Sequence, residues 1–404
     1  MVSALHGRAV FVLAFAAFAS AAATRSIDAL LVPIAADFGT TAGQASIAAT
    51  AFLVSYGFLQ LVHGPIGDRV GKYRLVFIYA AMSAATMFAC ALVPSLQALA
   101  WVRFLSGAVV GGMITLALAW IGDVVAYENR QAVLAKFMTG QLFGVGCGAA
   151  VAGVTAERFG WRAVFVLLGA VMLAAAIGLW RELRLNPLAR HVPGAAGKTF
   201  AADLRGVLGL LARPWVRVVF VAVLIEGMLM YGAIAFVPLH LHVSLGLSVG
   251  ASGALIMLFA AGGLAYAMSA GHLVPRLGER GIARFGGASM AFGVGLVGLA
   301  PGAATAMAGL FFAGAGFYAF HNTLQTNATQ MAPDARGSAV SVFAFGMFGG
   351  SSLGVMAGGL LVDGAGTRPL LLGASAGLVL LTVYFSRGLP GRRGIVRKGK
   401  IIGL

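Results

Sequence analysis

The chain has 404 residues, of which 60% are apolar and only 10% are charged. Soluble domains carry about 25% charged residues, so this composition excludes a soluble enzyme. A net charge of +16 would suggest nucleic-acid binding in a soluble chain, but here the basic residues separate apolar runs, where they set membrane topology. We therefore expect membrane lipids around the chain and no nucleic-acid partner.

Apolar runs of about 20 residues, the length that crosses a bilayer as a helix, recur along the whole chain. In the first half they predict spans at 9–34, 44–65, 75–94, 98–122, 136–156 and 161–180. In the second half they predict spans at 215–238, 249–270, 283–300, 305–326, 338–361 and 369–386. The 58 glycines, about twice the usual share of ~7%, predict close packing of these twelve transmembrane helices in an all-α membrane protein.

Positive charge decides the orientation. A cytoplasmic N-terminus places most of the 28 Lys and Arg residues in cytoplasmic segments, as the positive-inside rule requires. This distribution predicts a multi-pass membrane protein with both termini in the cytoplasm and an even number of spans. Residues 1–24 also fit a cleavable signal peptide, but their removal would destroy the internal repeat.

An internal repeat relates the two halves of the chain. An offset of 206 residues aligns Gly140, Gly144 and Gly148 with Gly346, Gly350 and Gly354, and an offset of 207 aligns Gly64, Arg69 and Gly71 with Gly271, Arg276 and Gly278. We therefore predict parallel six-helix halves at 1–186 and 215–404, the second with a basic cytoplasmic tail, joined by a solvated cytoplasmic linker at 187–214. Such repeats hold substrate between the halves and work by alternating access.

The segment 64–74, the signature segment, has glycines for a tight turn and basic residues that stay on the cytoplasmic face. Its predicted latch residues are Gly64, Gly67, Asp68, Arg69, Gly71, Lys72 and Arg74. The segment resembles the signature cytoplasmic loop of the major facilitator superfamily. In that family the residue matching Asp68 latches the two halves in the outward-facing state. The repeat copy has Pro275 at this position, so the resemblance implies a single latch.

Other motifs resemble the bacterial drug:proton antiporter and arabinose-efflux-like branch of this superfamily. They are Arg103 followed by Gly107, the Phe159–Arg162 motif, and residues 332–337. The resemblance implies proton-coupled efflux of a drug-like compound or sugar across the bacterial inner membrane. The branch has a proline in the fifth span that Gly146-Cys147-Gly148 lacks, which leaves antiport, symport and uniport open. Importer or facilitator function and a transport-dead sensor remain the alternatives.

Ionisable side chains inside spans are the candidates for proton coupling, because each costs about 2.5–3.5 kcal/mol to insert. These candidates are Arg25, Asp28, Arg103 and Glu226. Arg25 and Asp28 are three residues apart and share a helix face, so they either neutralise each other or bind a transported proton. Arg103 resembles the fourth-span arginine of the family that is implicated in proton coupling, or it anchors backbone carbonyls.

Polar residues at helical spacing are candidates for substrate binding, or for hydrogen bonds between helices. They are Tyr56, Gln60, Gln141, Tyr231, Tyr266, His321, Asn322 and Gln325. The sequence contains no catalytic constellation or metal-ligand cluster and predicts no cofactor. Cys90 and Cys147 lie in apolar runs and are interpreted as packing residues. A monomer that binds a small-molecule substrate and protons is sufficient for this architecture.

Overall fold

The computed structural model describes residues 2–125, 127–190, 205–206, 209–332 and 336–389. Within these ranges the chain is helical almost throughout and has no strand. Residues 191–204 and 207–208 of the predicted linker, and residues 390–404 of the predicted basic tail, lie outside the described residues. The predicted all-α class is confirmed.

Six helices make up the first part of the chain. They are α1 (Val2–Arg25), α2 (Ile47–Val70), α3 (Lys72–Leu92), α4 (Leu96–Val124), α5 (Tyr127–Phe159) and α6 (Trp161–Leu185). After α1 the backbone passes through a 3-10 turn at Ser26–Ala29 and a short helix at Leu31–Asp37. A capping box at Thr41 and Gln44 then starts the short helix that precedes α2.

The second part begins with α7, which has four segments. They are Pro214–Glu226, a π-helical turn at Gly227–Tyr231, Gly232–Ile234 and Val237–Leu245. The last three helices are α10 (Ala303–Gln330), α11 (Arg336–Ala365) and α12 (Thr367–Gly388). Two further helices lie between α7 and α10.

Helices α8 and α9 form one stretch, Val249–Gly298, of 50 residues. As a straight helix it would be about 75 Å long, more than twice the ~30 Å hydrocarbon core of a bilayer. Gly278 interrupts it with φ 68° and ψ 172°, and we call the parts before and after this residue α8 and α9. The described residues hold eleven membrane-length stretches, and this division gives the predicted twelve helices.

The signature segment contains the predicted tight turn, and helix extends further into it from both sides than the predicted spans 44–65 and 75–94. Helix α2 continues to Val70 and α3 begins at Lys72, so Gly71 alone makes the turn, with φ 94° and ψ 119°. Its N–H donates to the Gly67 carbonyl at 2.9 Å. A positive φ is accessible to glycine without a steric penalty, which explains why one residue is enough to reverse the chain.

The described chain divides into two compact units. The first unit comprises Met1–Gly209 and Leu247–Met257, and the second comprises Leu210–Gly246 and Leu258–Leu404. The start of α8 thus packs with the first unit, where the Glu157 carboxylate of α5 accepts hydrogen bonds from Ser248 Oγ (2.8 Å) and the Gly250 N–H (2.6 Å).

Equivalent close contacts between helices occur within each of the two units. In the first unit a Cβ on Gly144 or Gly148 of α5 would meet the Phe18 or Ala22 carbonyl of α1. In the second unit a Cβ on Gly350 or Gly354 of α11 would meet the Leu224 or Met228 carbonyl of α7. Each of these four residues lies 206 positions after its counterpart in the first unit. Gly107 of α4 meets the Phe52 carbonyl, and Gly314 of α10 meets the Phe259 carbonyl, both 207 residues later. These contacts confirm the parallel repeat and explain the excess of glycine.

An ion pair joins three segments of the first unit near Asp37. Arg162 Nη1 (2.5 Å) and Trp161 Nε1 (3.2 Å) both donate to Asp37 Oδ2, and Arg162 Nη2 donates to the Val93 carbonyl at 3.3 Å. The Arg162 hydrogen bond is the main reason that the pKa of Asp37 lies below its usual value. The charged form of Asp37 therefore stabilises the folded state.

Asp37→Asn is expected to lower the free energy of unfolding by about 1 kcal/mol or less, because the pair is partly exposed to solvent. A carboxyl with a lowered folded-state pKa stabilises the fold above its unfolded pKa of about 3.9, and this contribution is lost as the pH falls through the lower folded value. Melting temperatures from pH 7 to pH 3 should therefore converge for the two proteins. A difference independent of pH would contradict this prediction.

Candidate functional site

The first unit buries an ionisable group where α1 loses its α-helical geometry. Arg25 is the last residue of α1, and Asp28 lies in the following 3-10 turn. Arg25 Nη1 is 3.2 Å from Asp28 Oδ2, and the two side chains are only 10% and 6% exposed. The structure thus brings these two predicted residues together as an ion pair.

Arg103 of α4 is fully buried beside this pair. Its Nε and Nη1 lie 3.5 Å from the Ala48 and Ala23 carbonyls, and its guanidinium carbon is 4.1 Å from the centre of the Phe52 ring. Nη2 has no hydrogen-bond partner among the described residues, and the guanidinium interacts electrostatically with Asp28. Two guanidinium groups and one carboxylate therefore form this group, which leaves one positive charge in excess.

The second unit buries another ionisable pair, Glu226 and His321. Glu226 ends the first segment of α7, directly before the π-helical turn, a feature that is frequent at functional sites. Its side chain is 0% exposed, and Oε2 is 2.8 Å from Nδ1 of His321 on α10. Glu226 Oε1 is buried and has no hydrogen-bond partner in the described part of the chain.

Aromatic rings surround the His321 side of this pair. The His321 ring stacks on Phe317 at 5.1 Å and lies 5.3 Å from Phe343 of α11. Tyr231 packs edge-on against Phe317 at 5.7 Å. The His321 side chain keeps 20% of its surface exposed, whereas the Glu226 side chain is 0% exposed, so the imidazole is the accessible member of the pair.

The sequence analysis proposed Glu226 and His321 for separate roles and missed their pairing, because 95 residues separate them. The internal repeat did not indicate the Glu226–His321 pair either. At the offset of 206, Glu226 corresponds to Ser20 and Asp28 corresponds to Ile234. The two buried groups are therefore not copies of each other.

Tyr56 and Gln60 lie at the contact of α2 with α4. Gln60 Nε2 donates to the Gly111 carbonyl at 2.8 Å, and Gln60 Oε1 accepts from Thr115 Oγ1 at 2.9 Å. Tyr56 is 5% exposed and packs against Phe52 and Gly111. Both predicted substrate residues thus hold helices together in this structure.

The other predicted substrate residues have varied surroundings. Tyr266 and Asn322 line a cavity of about 490 Å³ inside the second unit. Gln325 is exposed and Tyr231 is half-buried. Gln141 Oε1 is buried, and no hydrogen-bond partner for it occurs among the described residues. The structure does not gather the eight residues at one place within either unit.

The signature segment contains a charged cluster centred on Lys72. Lys72 Nζ lies 2.8 Å from Asp68 Oδ1 and 2.6 Å from Asp123 Oδ2, and its side chain is 10% exposed. Arg69 Nη1 donates to the Pro65 carbonyl at 2.8 Å, while Arg74 is exposed. The sequence analysis did not select Asp123, because it stands 51 residues from Lys72.

Two further buried polar groups were not identified from the sequence. Glu182 of α6 is 3.0 Å from Arg8 Nη2 and 3.1 Å from Asn186 Nδ2. His240 lies 2.8 Å from Thr367 Oγ1 and 3.1 Å from the Val297 carbonyl. Across the described ranges, no group of three or more His, Cys, Asp and Glu side chains could hold a metal ion.

A chain of twelve membrane helices in two repeats, with buried ion pairs, has the architecture of a transport protein. The Major Facilitator Superfamily model matches residues 13–355, and the chain belongs to this superfamily. It is a multi-pass membrane protein of that family.

Solved structures share this fold. The chain matches a mutant form of the nucleoside transporter NupG with a TM-score of 0.77 and 15% identity over 95% of this chain and 99% of the other. It matches the xylose transporter XylE from E. coli with a TM-score of 0.74 and 14% identity over 97% and 99% of the chains. At these identities the similarity concerns the fold alone.

Relatives with closer sequences include proteins named for drug resistance. The chain is 27% identical to a chloramphenicol resistance protein of Pseudomonas aeruginosa over 35% of this chain and 34% of that protein. It is 30% identical to the multi-drug resistance efflux pump PmrA of Streptococcus pneumoniae over 33% of each chain. The aligned parts thus span about a third of these relatives.

Proposed function

We propose that this transporter exports a small organic solute, a drug-like compound or a sugar, in exchange for protons by alternating access. The observation that carries the proposal is the Glu226–His321 pair, a buried carboxyl hydrogen-bonded to an imidazole inside a membrane helix bundle. The relatives named for chloramphenicol resistance and multi-drug efflux support export. The basic cytoplasmic segments of the sequence support an inner-membrane location with both termini in the cytoplasm.

The pair can hold one proton in two ways, on His321 beside an ionised Glu226 or on Glu226 beside a neutral His321. In both cases the proton lies in the 2.8 Å hydrogen bond between Glu226 Oε2 and His321 Nδ1. Loss of the shared proton would leave an uncompensated and buried Glu226 carboxylate, which costs several kcal/mol. The proton therefore leaves when the site opens to water or when substrate supplies a compensating group. This requirement couples proton transport to substrate transport.

Asp28 is the second proposed element of coupling. Its partner Arg25 is 3.2 Å away, so a proton or a substrate group that binds Asp28 displaces this guanidinium. Arg103, with one unpaired donor, is suited to receive a negative group at that step. We propose that Asp68 acts as the latch residue of the family, released when its contact with Lys72 breaks.

Asp28→Asn is expected to reduce proton-driven transport to background, because the neutral amide cannot bind and release a proton in place of its contact with Arg25. The protein should remain folded, since the amide oxygen still accepts a hydrogen bond from Arg25. Transport in proteoliposomes and elution from a sizing column would be measured together. Full proton-driven activity of the folded variant would remove Asp28 from the mechanism.

The function is tested in inverted vesicles that contain the protein and carry a proton gradient. The internal pH is followed while drugs, sugars and amino acids are added one at a time. Dissipation of the gradient by a drug or sugar would support proton antiport and identify the substrate class. A solute that equilibrates without moving protons would indicate a facilitator, and binding without movement would indicate a sensor.

A further inference from the structure

The cavity of about 490 Å³ lies between α8, α9 and α10 of the second unit. Its apolar surface includes the buried Tyr266 and Ile282, and its polar surface includes Glu279, Asn322, Thr326 and Gln330. A volume of this size is typical of sites for small organic ligands. Neither Glu226 nor His321 lines the cavity.

The repeat shows what occupies the equivalent place in the first unit. There the Lys72 ammonium fills the space between Asp68 and Asp123. The offset of 207 replaces Asp68 by Pro275, Lys72 by Glu279 and Asp123 by Gln330. All three replacements line the cavity.

Two structural features support this alignment. Gly71 and Gly278 make the same positive-φ turn directly before Lys72 and Glu279. The helix crossings also match, as the contacts of Gly107 and Gly314 with carbonyls of α2 and α8 show. The second unit therefore has a carboxylate (Glu279) at the place of the Lys72 ammonium and an amide (Gln330) at the place of Asp123, while Pro275 takes the place of Asp68. No Lys is among the described residues that line the cavity.

Glu279 is the charged residue among those that line the cavity. Asn327 Nδ2 donates to Glu279 Oε1, so this oxygen is held in place and Oε2 has no hydrogen bond within the described residues. The neighbouring Arg280 donates instead to the main-chain carbonyls of Ser386 (2.7 Å) and Arg387 (3.0 Å). A negative charge therefore stands beside an apolar surface in an open cavity.

We propose that this cavity binds a small organic amine, whose ammonium group pairs with Glu279 and Gln330 while its apolar part packs on Tyr266 and Ile282. The ligand ammonium takes the role that Lys72 Nζ has in the first unit. Tyr266 lines the cavity, and the face of an aromatic ring attracts a cation. Its Oη is buried without a hydrogen-bond partner in the described chain. The site does not depend on proton coupling.

The test measures binding of propranolol, a secondary alkylamine with a naphthyl group that is positively charged at neutral pH, to the purified full-length protein by titration calorimetry. Its N-acetyl derivative, which is neutral, serves as the matched ligand. Glu279→Gln is expected to weaken propranolol binding about tenfold or more, because a charge-assisted hydrogen bond is lost. Asp363→Asn removes an exposed carboxylate of the same unit outside the cavity and should leave binding unchanged.

A second variant separates loss of the site from loss of the fold. Pro275→Asp combined with Glu279→Lys gives the second unit the ion pair of the first, so it should fold and fail to bind the amine. The proposal would be overturned if Glu279→Gln bound propranolol as tightly as the parent protein. Equal binding of the neutral N-acetyl derivative, or unchanged binding in the double variant, would overturn it as well.

Discussion

Glu226→Gln should abolish proton-driven export while exchange of substrate between the two sides of the membrane continues. The amide has the shape of the protonated carboxyl but cannot release a proton, so the pair with His321 is fixed in one charge state. At a potential of 100 mV one proton supplies about 2.3 kcal/mol, enough for roughly fiftyfold accumulation. The variant should lose this accumulation in proteoliposomes and reach only equilibrium.

Exchange of labelled for unlabelled substrate provides the internal control, because it requires a folded protein and conformational change but no net proton movement. His321→Asn should likewise lose accumulation, since it removes the partner that compensates the Glu226 charge. Accumulation by Glu226→Gln at the parent level, with the usual dependence on pH, would exclude this carboxyl as the coupling site.

Gly354→Val is expected to prevent assembly of the second unit. At Gly354 a Cβ would overlap the Met228 carbonyl in the π-helical turn of α7, and a backbone atom cannot move aside as a side chain can. The loss should exceed the ~1–3 kcal/mol that is typical of overpacked cores. It would be measured as the yield and melting temperature of monodisperse protein.

The same helix provides the matched control for this prediction. Gly349 lies on α11 as well, and a Cβ there would have no neighbour within 4 Å. Gly349→Val should therefore express and melt like the parent protein. Equal behaviour of the two variants would mean that α7 and α11 tolerate a wider separation than the structure has.

Several features of the fold could be predicted because they depend on local or periodic properties of the chain. Apolar runs of bilayer length identify helices wherever water is absent, since each must satisfy its own backbone hydrogen bonds. The repeat of Gly144 and Gly148 at Gly350 and Gly354 predicted two equivalent helix contacts, because glycine permits the approach that both contacts need. Arg25 and Asp28 are three residues apart, and sequence spacing alone was sufficient to predict that they would meet.

The local sequence of the signature segment does not determine its tertiary contacts. Its glycines and charges predicted a turn, but they did not indicate that Gly71 alone would reverse the chain. Nor did they indicate that Asp123 would join Asp68 at Lys72, because the composition of one segment carries no information about the side chain that reaches it from another helix.

The sequence by itself determined the membrane class, the twelve helices, the parallel repeat and four of the buried ionisable residues, Arg25, Asp28, Arg103 and Glu226. Only the tertiary structure decided which of those residues meet. Glu226 and His321 pair across 95 residues, and Gln60 bonds to Gly111 of a neighbouring helix. Periodicity gives the face of a helix on which a side chain lies, but the rotation of that face toward a partner depends on the packing of whole helices.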